Sequence, residues 1–263
     1  MLGHAAAHRL VTFPVSHFCE KARWALDFWG VPFAEEGHAP PFHRANSNGN
    51  TVPVLFSGEQ LIAGSDEICA FVQRTASRNG HVPALPSRNV TDGAAVNEEW
   101  ELNDEISALG VSARRLVYFH ILPDRPLAVD QLAPEGAVPA RERWWLSWSM
   151  FALTPLMRMG MGINERGCVE ATLAIDRTLA RIEAILQRQP YLSGNSFGVL
   201  DLNFAALCSP LVLPPEHAMY DALWRRLAGA GGEHPLQRLV EQYRDRPACQ
   251  HVLKCYRLHR RET

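Results

Sequence analysis

The opening third of the chain alternates short apolar runs with helical patterns. Arg9 to Phe13 (RLVTF) is a β-branched run closed by Pro14 and reads as a strand. Ala22, Ala25, Leu26 and Trp29 then fall at i, i+3, i+4 and i+7, the apolar face of a helix, and Gly30 supplies its stop. A second short strand is expected from Val31 to Glu35. After a polar loop rich in His, Pro and Asn, Val52 to Phe56 reads as a strand, Ser57-Gly58 as a hairpin turn and Gln60 to Ala63 as its return. Ser65 opens a helix through Phe71 and Val72. The predicted order is βαβ, then ββα.

Past residue 95 the strand signals fade. Leu102, Ile106 and Leu109 keep one helical face, and Ile175, Leu179, Ile182 and Leu186 keep another. Gly80, Pro83 and Pro86 break a polar stretch that suits a linker. The expected division is a first domain at 1–76, a linker at 77–94 and an all-helical domain at 95–263. Pro123 to Pro139 is proline-rich and reads as an irregular insertion between helices.

Composition narrows the function. With 47% hydrophobic and 21% charged residues the chain can bury a substantial core, which excludes disorder as its main state. The formal charge of -2 leaves no bulk positive field to hold a phosphate backbone, so no nucleic acid is expected as a partner. All but two of the basic residues, Lys21 and Lys254, are arginines, a bias that carries little function. MLGHAAAHRL lacks the apolar core of a signal peptide, and the uncharged stretch from Trp144 to Met157 is too short to span a bilayer and contains Pro155. A cytoplasmic protein with no membrane partner is expected. The six cysteines form no CxxC pair and no zinc-type spacing with histidine, so no metal is expected. The Asn89-Val90-Thr91 sequon would matter only in a secreted protein.

The candidate chemistry begins at Phe13-Pro14-Val15-Ser16-His17-Phe18-Cys19, where a strand ends and a helix starts. Ser16 suits an ordinary N-cap with Glu20 in the first turn. The same helix start, with its partial positive charge and unpaired N–H donors, can also stabilise an anion such as a thiolate. Local geometry alone does not choose between them. His17 follows Ser16 directly, but adjacent residues at a helix start point in different directions, so His17 reads as a surface histidine and not as a base.

Ser-x-x-Cys before Glu-Lys-Ala-Arg-Trp-Ala-Leu, then Thr51-Val52-Pro53-Val54-Leu55 and Gly64-Ser65-Asp66-Glu67-Ile68, resembles the cytosolic glutathione transferase superfamily over residues 9 to 74. The resemblance implies an α/β plus all-α fold, a thioredoxin-like N-terminal domain followed by a helical glutathione-transferase C-terminal domain, and a homodimer. It places Ser16 at the catalytic position of the serine-type classes. Val52 and cis-Pro53 stand at the site pairing with the cysteinyl backbone of glutathione, and Ser65 stands at the γ-glutamyl site. Where the family carries an acid or Gln before that serine this chain has Gly64, and Asp66 or Glu67 is the expected replacement. Tyrosine-type classes are excluded, since the first tyrosine is Tyr118. Cys19 stands where dithiol proteins keep their second, buried Cys.

Glutathione is thus the expected co-substrate, attacking a small hydrophobic electrophile. A thiol of pKa near 8.5 is only about 3% ionised at pH 7, and bringing it to about 6.5 takes roughly 2.7 kcal/mol of anion stabilisation. One hydrogen bond to a charged acceptor, about 1.5 to 3 kcal/mol, together with the helix start is of that size. Ser16 is then a donor, not a nucleophile. The electrophile would sit in a pocket between the domains; Trp100, Tyr118, Trp144, Trp145 and Trp148 are candidate walls, although buried aromatic stripes are the simpler reading. Two alternatives stand: a catalytically weak relative acting as a binding or scaffold protein, and a glutathione-dependent reductase using Cys19 as its thiol.

Gly194-Asn195-Ser196-Phe197-Gly198 matches the G-x-S-x-G nucleophile elbow, with Asp201, His217 and His234 following. The elbow needs a strand before it, and a helical period precedes this one. Gly198 as N-cap, Asp201 as the N3 acid and Phe197 packed on Leu202 is the better account, with Gly198 in place of the family's Ser or Thr at a modest stability cost. Tyr191-Leu192-Ser193-Gly194 with Asp201 resembles the transferase helical-domain motif, which makes Asp201 structural.

Overall fold

A computed structural model of the protein describes residues 8–77, 94–229 and 234–260. The start of the chain, Gly80, Pro83 and Pro86 of the expected linker, and the Asn89-Val90-Thr91 sequon lie outside the described residues. Strand β1 (His8–Thr12) leads into α1 (His17–Phe28), β2 (Ala34–Gly37), α2 (Phe42–Asn46), β3 (Val54–Ser57), β4 (Gln60–Ala63) and α3 (Ser65–Ser77). Helices α4 (Ala94–Ile121), α5 (Arg125–Leu132), α6 (Ala140–Gly160), α7 (Glu165–Leu186), α8 (Val199–Cys208), α9 (Ala218–Gly229), α10 (Pro235–Arg244) and α11 (Pro247–His259) follow.

The four strands form one mixed sheet in the order β2-β1-β3-β4, with β1 parallel to β2 and antiparallel to β3, and β3 antiparallel to β4. Leu10 and Leu55 from the sheet meet Ala22 and Leu26 of α1 and Ile68 and Val72 of α3 in one core, completed by Val31. This is the thioredoxin-like arrangement that the βαβ and ββα pattern implies. Two strands begin later than the sequence suggests, because proline has no N–H for a ladder. Pro32 delays β2 to Ala34, and Pro53 delays β3 to Val54. Helix α2 is a single turn, too short to leave a periodic signal.

Two compact units divide the described residues. The first joins 8–77 with 124–155, so that α5 and most of α6 group with the sheet-bearing segment. The second contains 94–123, 156–229 and 234–260. Its core follows the predicted faces: Leu102, Ile106 and Leu109 of α4 and Ile175, Leu179 and Ile182 of α7 are buried, and Asn203 of α8 donates to Asn103 of α4 at 2.6 Å. Among the described residues, no helix is long and apolar enough to cross a membrane.

The segment from 123 to 139 is not the irregular insertion expected. It contains α5, whose N-cap Asp124 accepts from Leu127 N–H at 3.0 Å, with Pro126 in the first turn, where a missing N–H costs nothing. The aromatic cluster is also corrected. In α6 the buried positions are Glu142, Leu146 and Met150, four apart, and this register turns Trp144 (65% exposed) and Trp148 (65%) to the outside. Trp145, at 37%, meets Phe42 edge-on at 5.1 Å.

Gly198 caps α8 in an extended conformation that any residue adopts, yet a Cβ there would lie 2.3 Å from Ser193 Oγ and 2.5 Å from Ser193 Cβ. The side chain of Ser193 fills the space that a capping serine would need. Gly198→Ser should therefore destabilise the protein by about 1 to 3 kcal/mol instead of recovering the few tenths that a better cap supplies. Adding Ser193→Gly should restore most of the loss, as read from the urea unfolding midpoint.

Candidate functional site

Ser16 stands where β1 hands over to α1. Its N–H donates to Phe13 O at 2.9 Å, and its Oγ accepts from Cys19 N–H at 3.4 Å, the N-cap pattern that the sequence suggests. Helix α1 is covered on nearly every side: His17, Cys19, Glu20, Lys21, Arg23, Trp24 and Leu26 are all buried. His17 is accordingly 4% exposed, its ring centroid 4.5 Å from that of Phe18, and not the surface histidine expected. The misreading came from assigning polar residues to an outer face that this helix lacks.

Charges buried in such a helix need partners. Arg23 donates to both carboxylate oxygens of Glu35 at 2.8 and 2.9 Å, to Glu20 at 3.1 Å and to Pro14 O at 2.8 Å. Burial works against its charge, but Glu35 and Glu20 outweigh that and push Arg23 above its usual range. The Pro14 contact clamps the turn that carries Ser16. Lys21, with no exposed side chain, donates to Asp66 Oδ1 at 2.7 Å and so ties α1 to the first turn of α3.

The remaining expected site residues lie at the same sheet end. Val52-Pro53 is a cis peptide, and Pro53 O accepts from Gly64 N–H at 2.9 Å, which holds the β4–α3 turn against that corner. Ser65 is the first residue of α3 and is 5% exposed. Gly64 has φ +98°, a left-handed conformation that an L side chain adopts only with strain, so an acid at this position would be strained on this backbone although the space beside it is open. Asp66, the expected substitute for that acid, is engaged by Lys21.

Cys19 is fully buried, with Sγ accepting from Phe13 N–H at 3.4 Å. Desolvation pushes its thiol up to about 11 against the pull of Arg23. Burial thus favours the protonated thiol over the thiolate that the Cys19 reductase reading needs.

Sequence reasoning missed a cluster that only folding assembles. Glu142 at the start of α6, 1% exposed, accepts from His38 Nδ1 at 2.9 Å and from Ala39 N–H at 2.9 Å. A carboxylate can only accept, so Nδ1 of His38 carries the proton. His43 lies nearby; desolvation, Arg44 and His38 lower its imidazole below the usual range. No local motif announces the contact, since His38 and Glu142 are 104 residues apart.

The G-x-S-x-G match is a turn. Tyr191 and Gly194 exchange backbone hydrogen bonds at 3.1 Å, and Ser196 is exposed, with no strand leading to it. Asp201 is fully buried: Oδ1 accepts from Leu192 N–H at 2.7 Å and His251 Nε2 at 2.9 Å, and Oδ2 accepts from Ser193 and Gly198 N–H, both at 3.2 Å. Asp201, His251 and Cys255 are close enough to suggest a metal, but these four donors already occupy the carboxylate, so the cluster fits a structural brace better than a cation site.

Residues 10–80 match the family model described as the glutathione S-transferase N-terminal domain. No curated protein sequence matches the chain. Glutathione S-transferase III in apo form is 21% identical, with 95% of this chain and 96% of that one covered and a TM-score of 0.51. Glutathione transferase F7 from Populus trichocarpa is 16% identical, covering 94% and 98%, with a TM-score of 0.52. A glutathione transferase family member from Pseudomonas fluorescens pf-5, solved with two glutathione bound, is 13% identical, covering 95% and 94%, with a TM-score of 0.51. Residues 10–80 thus match a glutathione S-transferase N-terminal domain, and the chain as a whole shares the fold of these glutathione transferase structures.

The buried thiols make stability depend on alkaline pH. Desolvation raises Cys69, like Cys19, from 9.0 to about 11. The folded protein keeps both protons at a pH where the unfolded chain has lost them. Their contribution is therefore complete below about 9 and is lost as pH climbs through about 11. Guanidinium unfolding across this window should show falling stability, with a shallower fall in Cys19→Ala and in Cys69→Ala.

Proposed function

We propose that this protein binds glutathione at the end of the sheet where Ser16, Val52, Pro53 and Ser65 come together, and that it activates the tripeptide's thiol for attack on a small electrophile. One observation carries the reading. Ser16 caps α1, its Oγ accepting from Cys19 N–H, and so stands at a helix start where a sulfur anion is favoured. Ser16 would hold the thiolate, Val52 would pair with the cysteinyl backbone, and Ser65 at the start of α3, with Asp66 beside it, would receive the γ-glutamyl end. The thiolate then forms a bond to an electrophilic carbon as the leaving group, a halide for instance, departs with the electron pair. Glutathione is consumed as co-substrate.

A solved structure of the same fold holds glutathione, as its name states, which supports the choice of tripeptide. The cytoplasm is the compartment that fits this chemistry, because the reduced thiol is maintained there. The homodimer implied by the family would need an apolar face, and α6 exposes Trp144, Trp148 and Phe151, the last at 76%.

Ser16→Ala removes the donor and leaves the backbone contacts to the peptide. Conjugation of glutathione to an activated aryl halide should fall about 10²-fold in kcat, with the dissociation constant for glutathione changed less than about threefold. Equal activity in the variant would assign the thiol to another group. A failure to bind at millimolar glutathione would favour the scaffold reading.

A further inference from the structure

The strand registers fix what lies beside what at the sheet end. Thr12 pairs with Gly37, Val11 with Val54, and Val54 with Ala63, so β1, β2 and β4 finish and β3 starts at one edge. The segments leaving that edge are, in spatial order, His38-Ala39 after β2, Pro14 to Ser16 after β1, Val52-Pro53 before β3, and Gly64-Ser65 after β4. Strands lie about 4.8 Å apart, so the row spans about 14 Å. A γ-linked tripeptide, with two extra methylenes, reaches about as far as four residues at roughly 3.5 Å each. With its γ-glutamyl end at Ser65, its cysteinyl backbone at Val52 and its thiol at Ser16, the third residue falls at the β2 end, on His38 and Ala39.

Those donors are already taken. Glu142 places one oxygen 2.9 Å from His38 Nδ1 and the other 2.9 Å from Ala39 N, which is how a peptide's terminal carboxylate would be held. The segment bringing it is seated along the same stretch. The Ala137 carbonyl lies 2.2 Å from where a Cβ at Gly37 would stand, so only glycine admits it, and Trp145 meets Phe42 at 5.1 Å. With its segment seated on residues 37–42 through Glu142, Ala137 and Trp145, Glu142 is built into the fold rather than laid on its surface.

We propose that Glu142 is a specificity-determining residue: this chain supplies its own carboxylate at the far end of the peptide site, so the site takes a γ-glutamyl thiol whose C-terminal end is uncharged, an ester or amide, in preference to glutathione itself. The inference rests on the glutathione reading above. A free glycyl carboxylate would have to share two donors with Glu142 at like charge, whereas an uncharged end meets no such repulsion.

Calorimetric titration of the whole protein with glutathione and with its glycyl monoethyl ester tests this. The wild type should bind the ester at least about tenfold more tightly, and in Glu142→Gln, nearly isosteric and uncharged, that preference should fall below about threefold. The wild-type pair of affinities stands whether or not the variant folds, which its thermal melt reports. Equal affinity of the wild type for the two ligands, or a preference for free glutathione, overturns the inference alone. An ester preference unchanged in a folded Glu142→Gln removes Glu142 as its cause and overturns it equally. Binding of neither ligand at millimolar concentration, in wild type and variant alike, overturns the glutathione reading and takes this inference with it.

Discussion

A helix with no face left to water cannot carry a loose charge, and α1 is such a helix. Lys21 and Arg23 sit in it beside Glu20, with Lys21 wholly covered, and an unpaired charge in that position would cost several kcal/mol. Each cation therefore also reaches out of the helix, to strand β2, the turn before Ser16 or the first turn of α3. Arg23 takes Glu35 from β2 and the Pro14 carbonyl from the turn before Ser16, and Lys21 takes Asp66 from the first turn of α3. The same electrostatic requirement that lets α1 be buried thus holds the two serines of the candidate site on fixed backbone. It also explains why Asp66 cannot be considered apart from Lys21.

Buried carboxylates solve the same problem in the other direction. Asp201 gathers three backbone N–H groups and His251 at the turn into α8, and a sequence resembling a hydrolase elbow becomes a rigid structural corner. Glu142 gathers His38 and Ala39 N–H where β2 ends. In both places a carboxylate meets donors that the chain leaves unpaired on leaving a strand or entering a helix. Asp201 draws on neighbours within ten residues for its backbone donors, while Glu142 comes from a distant helix and lies beside the residues that Ser16 helps to define.

Much of the first unit was legible because its signals are local. The RLVTF run, the apolar face through Ala22, Ala25, Leu26 and Trp29, and the Ser57-Gly58 hairpin all depend on residues a few positions apart, and each became the element its pattern described. The errors have separate physical causes. Pro32 and Pro53 shift strand starts through a missing N–H that apolar runs do not register, and Asp124 with Pro126 opens a helix inside what composition marks as a breaker. His17 and the tryptophans of α6 were misplaced because period says which residues share a face but not which face finds a neighbour. Trp144 and Trp148 do share a face, and it is the outer one.

By itself the sequence determined the strands of the sheet with α1 and α3, the helix starts at Ser16 and Ser65 and the structural part played by Asp201. These follow from backbone preferences and from hydrogen bonds over a few residues, which short stretches of chain specify on their own. Only the tertiary structure decided that Lys21 and Arg23 brace the site, that the Cys19 thiol is sealed off and held protonated, and that Glu142 stands at the β2 end. Each of these depends on burial and on partners far away in the chain, and desolvation has no local signature: the same lysine, cysteine or glutamate would be unremarked in water.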